Sequence, residues 1–333
     1  MSKVGLIIDT ACDVPKEAYE KLNVAMLPLW VHFSDKSYRD ILDIEKGEFY
    51  ELLDKEFPKT STPSPVEIKD IVDKEFADGA DEVIIITLSS KLSGANNLAN
   101  LIAMDYDGKV KVFDTKNIAI GAGFYAYRAA ELRDEGHSAD EIIKIMTDDR
   151  DNMKSKTYFA IPELTNLING GRIGKVQGVI GQFLNIKPII TCNMDGVYYA
   201  IDKVRGFSKA QKKLIERIKE ELSGVKDYYL AICHGANPEA FNLLKEALKD
   251  EVAKAKVYVE EQIAPTLAVH TGRGLVGVAY YKLSLLSLGD KSLKLFCYPF
   301  VRFKYLYMDL IRYIIYLTIY QTKAQGRWFY ESY

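Results

Sequence analysis

The chain has 333 residues, 48% of them hydrophobic, enough to bury a substantial core and to form two domains. Its net charge of -2 and pI near 6.2 exclude the basic footprint of a nucleic-acid-binding protein. Four scattered cysteines, Cys12, Cys192, Cys233 and Cys297, lack CxxC spacing; this points away from a disulfide framework or structural zinc and toward a reducing, cytoplasmic setting.

Val4–Ile8 is too short for a secretory apolar segment and reads as a first strand. Val24–Phe33, Val83–Leu88 and Val110–Phe113 read as further strands, and Ile118–Glu135 carries apolar residues at helical spacing. Ser64-Pro65-Val66-Glu67 is a capping box with proline at the first helical position. Ser138-Ala139-Asp140-Glu141 repeats the box before a helix ending near Asp151. Alternating strands and helices predict a parallel sheet flanked by helices over residues 1–155, with binding loops at the carboxyl ends of its strands. From 156 to 290 the pattern becomes a second, α+β domain. Strands Ile186–Cys192 and Val197–Lys203 are joined at Asp195-Gly196, a hairpin signal. Helices Ser208–Leu222 and Pro238–Lys249 flank the strand Tyr228–Cys233, and Lys256–Val259 adds another.

Three polar stretches interrupt these elements: Thr60-Ser61-Thr62-Pro63-Ser64-Pro65, Leu88-Ser89-Ser90-Lys91-Leu92-Ser93-Gly94 and His270-Thr271-Gly272-Arg273-Gly274. Each reads as a loop beside an apolar run. Together they offer hydroxyls, loop N–H groups and an imidazole, which donate hydrogen bonds to a carboxylate or phosphate oxygen without adding negative charge. Taken singly, Ser93-Gly94 is a capped turn, Thr60–Thr62 a helix entry and His270 a structural histidine. The first two stretches lie in one predicted domain and the third in the other, so a shared site would occupy the cleft between domains.

Enzyme signatures fail by residue. In Asn169-Gly170-Gly171-Arg172-Ile173-Gly174-Lys175-Val176, Asn169 replaces the first glycine of a phosphate loop and Val176 the magnesium-binding hydroxyl. Gly121-Ala122-Gly123 approximates a dinucleotide fingerprint but follows a late strand, where small residues serve close packing. No GxSxG elbow surrounds Ser93, and no HExxH spacing suggests a metal.

The order and wording of the three stretches resemble the DegV family. So do Phe113-Asp114-Thr115-Lys116, the Gly121/Gly123 pair, Gly170-Gly171-Arg172-Ile173, Leu184-Asn185-Ile186-Lys187-Pro188 and Lys203-Val204-Arg205. The resemblance covers roughly residues 3 to 283. It implies a two-domain fold and a non-catalytic carrier that binds a long-chain fatty acid and presents its carboxylate to a partner kinase for conversion to an acyl phosphate. It assigns the carboxylate to hydroxyls at Thr60, Ser61 or Thr62, to Ser93 and to His270. Arg172, Arg205 and Arg273 become candidates for the rim or for partner docking. No cofactor is implied, and ATP belongs to the kinase. Two departures stand out: Ala95-Asn96-Asn97 follows the serine-glycine pair, and Arg273 takes the place of a commoner proline. The alternatives are a lipid-directed phosphotransferase or hydrolase acting alone, and a structural or regulatory interaction protein.

Residues 291–333 depart from the pattern. Aromatic residues such as Phe296, Tyr298, Phe300, Phe303, Tyr305 and Tyr307 crowd it, far above the 11% of the whole chain, while Arg302, Lys304, Asp309 and Arg312 break the apolar run below the ~20 residues of a membrane span. The tail reads as an extension outside the family pattern, with transient membrane contact left open.

Overall fold

The computed structural model describes residues 3–174, 176 and 185–283; the aromatic tail, Lys175, Leu184 and Cys297 lie outside the described residues. The fold is mixed α/β, with a parallel sheet and a second sheet domain. The parallel sheet contains β1 (Val4–Asp9), β2 (Ala25–Leu27), β6 (Glu82–Thr87) and β7 (Val110–Asp114), in the order β2-β1-β6-β7. Every residue of β1 is buried, as expected for a parallel strand covered on both faces.

The single strand expected over Val24–Phe33 is corrected to two. Pro28 cannot donate a ladder hydrogen bond, and the chain changes sheets there. Beyond it, β3 (Trp30–His32) lies between β4 (Ser37–Arg39) and β5 (Lys59–Ser61) in a small antiparallel sheet. The Thr60–Thr62 stretch is therefore partly an edge strand, not a loop throughout.

The second sheet comprises β8 (Ser155–Ala160), β9 (Ile186–Cys192), β10 (Tyr198–Arg205), β11 (Tyr228–His234), β12 (Val257–Gln262) and β13 (Val276–Lys282), ordered β10-β9-β8-β13-β11-β12. Its pairs are antiparallel except for β11 with β12. The hairpin at Asp195-Gly196 forms: Asn193 N–H donates to Val197 O at 3.0 Å, and Gly196 takes φ +81°. This is a three-residue loop with glycine in the left-handed position. A Cβ on Gly196 would lie 2.1 Å from Ser89 Oγ, which donates to Gly196 O at 2.8 Å. The hairpin thus seats directly on the loop after β6.

The helix Ala119–Asp134 packs against strands of both larger sheets. Its sides are buried almost all round, the signature of an interior helix. A Cβ at Gly121 would meet Thr157 Oγ1 at 2.1 Å, and one at Gly123 the Cys12 carbonyl at 2.4 Å, so these glycines permit close packing. One hydrophobic cluster includes Leu6 and Phe113 from the first sheet with Phe159 and Tyr281 from the second. Both capping boxes form, at Ser64/Glu67 and Ser138/Glu141. The helix expected over Pro238–Lys249 instead runs Pro238–Ala247, with a short helix Lys249–Lys254 after it. No helix among the described residues is long and apolar enough to cross a membrane.

Candidate functional site

The three polar stretches meet around a cavity of about 310 Å³. The edge strand β5 supplies Thr60, Ser61 and the following Thr62; the turn after β6 supplies Leu92, Ser93 and Gly94; Thr266, Leu267 and His270 come from a third segment. That segment is the helix Pro265–Thr271, which corrects the reading of His270-Thr271 as loop: Pro265 opens the helix and Gly272, at φ +72°, ends it. Thr266 and His270 are four residues apart and share a helix face.

Strand alternation separates the two hydroxyls of β5, Thr60 and Ser61. Thr60 Oγ1 lies 3.0 Å from His270 Nε2, whereas Ser61 Oγ lies 2.8 Å from His32 Nε2. Thr62 turns its methyl toward Gly94, where a Cβ would lie 3.6 Å away. In the β6 turn, Ser93 Oγ accepts the Ala95 N–H at 3.2 Å, leaving its own proton free for a ligand.

Burial, with the Arg172 guanidinium nearby, pushes the His270 imidazole down to about 4, so the ring is neutral at neutral pH. Its Nδ1 has no hydrogen-bond partner among the described residues. A Cβ on Gly170 would approach Nδ1 to 2.2 Å, so the glycine-rich stretch is shaped around the ring. Asn166 reinforces that fit by donating from Nδ2 to Val269 O at 3.1 Å. Arg172 lines the same cavity, donating from Nη1 to Gly170 O at 2.6 Å and from Nε to Leu92 O at 3.3 Å. The polar wall thus carries hydroxyls, a neutral imidazole and a guanidinium, a set suited to one small anion.

Most of the remaining lining is apolar, from Ala11, Leu29, Leu88, Ile118 and Leu267, with Tyr198 and Thr266 beside them. Ile118, Tyr198 and Leu267 also border a narrow apolar space of about 20 Å³ that includes Phe159, Cys233, Ile263 and Leu275. A polar end next to an apolar interior matches an amphipathic ligand. Behind the cavity, Leu88 N–H donates to Asp9 Oδ2 at 2.8 Å, and burial pushes Asp9 up to about 7.

Of the expected site residues, Thr60, Ser61, Thr62, Ser93, His270 and Arg172 come together at this cavity. Arg205 and Arg273 are not among its lining residues. Arg205 is exposed at the end of β10. Arg273 forms a bidentate pair with Asp54, at 2.9 and 2.8 Å, and its guanidinium stacks over Tyr50. The sequence reading missed Tyr198, Thr266 and the apolar wall. A Pro-Thr pair four residues before His270 was the available signal for Thr266; Tyr198 carried none, since it arrives from the far side of the hairpin.

The family model for DegV, described as an uncharacterised protein family, matches residues 3–283. A DegV domain-containing protein of Clostridium acetobutylicum is 38% identical over 283 residues, covering 85% of this chain and 100% of its own. Among solved structures, a DegV family protein from Thermus thermophilus described with fatty acid binding is 29% identical, with a TM-score of 0.78. DegV from Bacillus subtilis, described as a fatty acid binding protein, is 28% identical with a TM-score of 0.77. Each comparison covers 85% of this chain and 100% of the solved one.

Proposed function

The chain belongs to the DegV family, and from that premise we propose that it binds a long-chain fatty acid and presents the carboxylate to a separate kinase for phosphorylation to an acyl phosphate. The observation that carries this reading is the joining of Thr60, Ser93, His270 and Arg172 at a cavity that Ala11, Leu29, Leu88, Ile118 and Leu267 also line. Support also comes from the fatty acid binding named for the Thermus thermophilus and Bacillus subtilis structures.

In this account the neutral His270 donates from Nε2 to Thr60 Oγ1, and the Thr60 hydroxyl donates a hydrogen bond to the ligand carboxylate. Ser93 donates a second hydrogen bond, and Arg172 supplies the positive charge. Burying about fifteen methylenes at ~0.8 kcal/mol each contributes on the order of 12 kcal/mol gross. Association and chain ordering offset part of this and leave room for tight binding. ATP chemistry belongs to the partner. Of the two arginines away from the cavity, we assign docking of the partner to Arg205, since Arg273 is committed to Asp54.

Native mass spectrometry of the purified chain, followed by lipid extraction, tests the carrier reading. A stoichiometric fatty acid supports it; a chain free of lipid that turns over ATP or an ester alone supports an enzyme instead. Acyl phosphate should form only when ATP, chain and a fatty acid kinase are combined.

A further inference from the structure

The helix that brings Leu267 and His270 to the cavity is gripped at its first turn by carboxylates from distant segments. Thr266 donates twice to Asp40, from Oγ1 to Oδ2 at 2.5 Å and from N–H to Oδ1 at 3.2 Å. One residue before the helix, Ala264 N–H donates to Asp13 Oδ1 at 3.0 Å. Both carboxylates are buried: Asp40 is 0% exposed and Asp13 2%.

Their electrostatic settings differ. Lys46 Nζ lies 3.7 Å from Asp13 and 2.8 Å from Glu261. Asp40 makes no direct ion pair among the described residues. Burial raises its pKa, while the hydroxyls of Thr266 and Thr10 and the field of Lys46 oppose that rise. Desolvating a carboxylate to this degree is costly.

The double contact has a directional consequence. A single cap bond lets a helix turn about its axis, whereas bonds from both the backbone and the side chain of one residue fix that rotation. Thr266 sits one turn before His270 on the same face, so its orientation sets where the imidazole points. The Thr266 hydroxyl also spends its proton on Asp40 and offers only lone pairs to the cavity it lines. Those lone pairs repel an anion and leave Thr60, Ser93 and Arg172 as the side on which a carboxylate can settle.

We propose that Asp40 is a positioning residue: through Thr266 it fixes the helix that holds His270 against Thr60, and it fixes the polarity of the cavity wall. The part of this inference that concerns ligand selection rests on the fatty-acid reading; the part that concerns His270 does not.

The test compares wild type with Asp40→Asn, Thr266→Val and Thr266→Ser. Imidazole NMR titration of the ligand-free proteins reads His270, and calorimetry reads decanoate against decanol. Thr266→Val keeps the side-chain shape and serves where Asp40→Asn fails to fold. The expected results in Thr266→Val are a His270 midpoint well above that of wild type and a roughly tenfold loss of decanoate affinity, the size of the charge-assisted contact from Thr60 that a displaced His270 no longer orients and larger than the relief of the lone-pair repulsion, with decanol little changed. Thr266→Ser should restore both. A His270 midpoint unchanged in folded Thr266→Val overturns the proposal. If wild type binds no decanoate, the fatty-acid reading fails, and the ligand-free titration still decides the role of Asp40.

Discussion

Thr60 Oγ1 and His270 Nε2 are 3.0 Å apart across 210 residues of sequence, and this contact ties the small antiparallel sheet to the helix Pro265–Thr271. With Nδ1 unpaired, the ring has one polar partner among the described residues, and the contact decides what Thr60 can do. If Nε2 carries the proton, the Thr60 hydroxyl is free to donate to a ligand. Thr60→Val should leave a buried imidazole N–H unsatisfied and cost about 1–3 kcal/mol of stability, read as a lower urea midpoint. Thr60→Ser retains the hydroxyl and should stay close to wild type in both stability and fatty-acid affinity.

Ser93→Ala removes a donor whose proton is not used within the protein, because Ser93 Oγ accepts from Ala95 N–H. The fatty-acid affinity should fall roughly tenfold to a hundredfold, corresponding to about 1.5–3 kcal/mol for a bond to a charged acceptor. The matching alcohol should lose little. Calorimetry on both ligands checks this, and an equal loss would mean that the substitution had damaged the cavity rather than carboxylate recognition.

Gly170→Ala drives a methyl group to 2.2 Å from His270 Nδ1 and 3.0 Å from Asn166 O. Overpacking of this kind costs about 1–3 kcal/mol. Here it should also displace the imidazole, so thermal stability and fatty-acid affinity should fall together. A variant that keeps wild-type affinity would show that the ring's position is not critical.

The His270 imidazole has a folded value near 4, against an ordinary 6.5. As pH falls between these values the unfolded chain takes up a proton that the folded chain refuses. The stability linked to the neutral ring is therefore complete above about 6.5 and lost as pH falls through about 4. Asp9 and Asp13, pushed by burial to about 7, act with the opposite sign: their contribution is complete below the ordinary carboxylate value and lost as pH rises through about 7. Comparing wild type with His270→Asn isolates the histidine. Between pH 6.5 and 4 the wild type should lose up to about 3 kcal/mol more than the variant in urea unfolding. Parallel pH profiles would contradict a buried neutral His270.

What was legible in the sequence was local chemistry. The capping boxes at Ser64 and Ser138, the turn at Asp195-Gly196 and the close-packing glycines Gly121 and Gly123 each declare themselves within four residues, and each forms. Thr60, Ser61, Thr62, Ser93 and His270 were also legible, because hydroxyls, a histidine and glycines stood out between apolar runs, whereas Thr266 and Tyr198, which line the same cavity, did not. Long-range placement was less accessible. The break at Pro28 was hidden inside an apolar run, and the helix Pro265–Thr271 was too short for its periodicity to register. Arg273 read as a weaker candidate of the same kind as Arg172, and Asp54, far away in sequence, supplied its partner. Tyr198 and Asp40 become relevant only when β10 and the loop after β4 fold back on the site.

The most direct measurement uses a long-chain fatty acid labelled with carbon-13 at the carboxyl group, added to the delipidated chain and followed by NMR. The account predicts one shifted carboxyl resonance that saturates at one equivalent, and whose position changes in Ser93→Ala and Thr60→Val. A resonance identical to free or micellar fatty acid, or a bound signal indifferent to both substitutions, would contradict carboxylate recognition at this cavity.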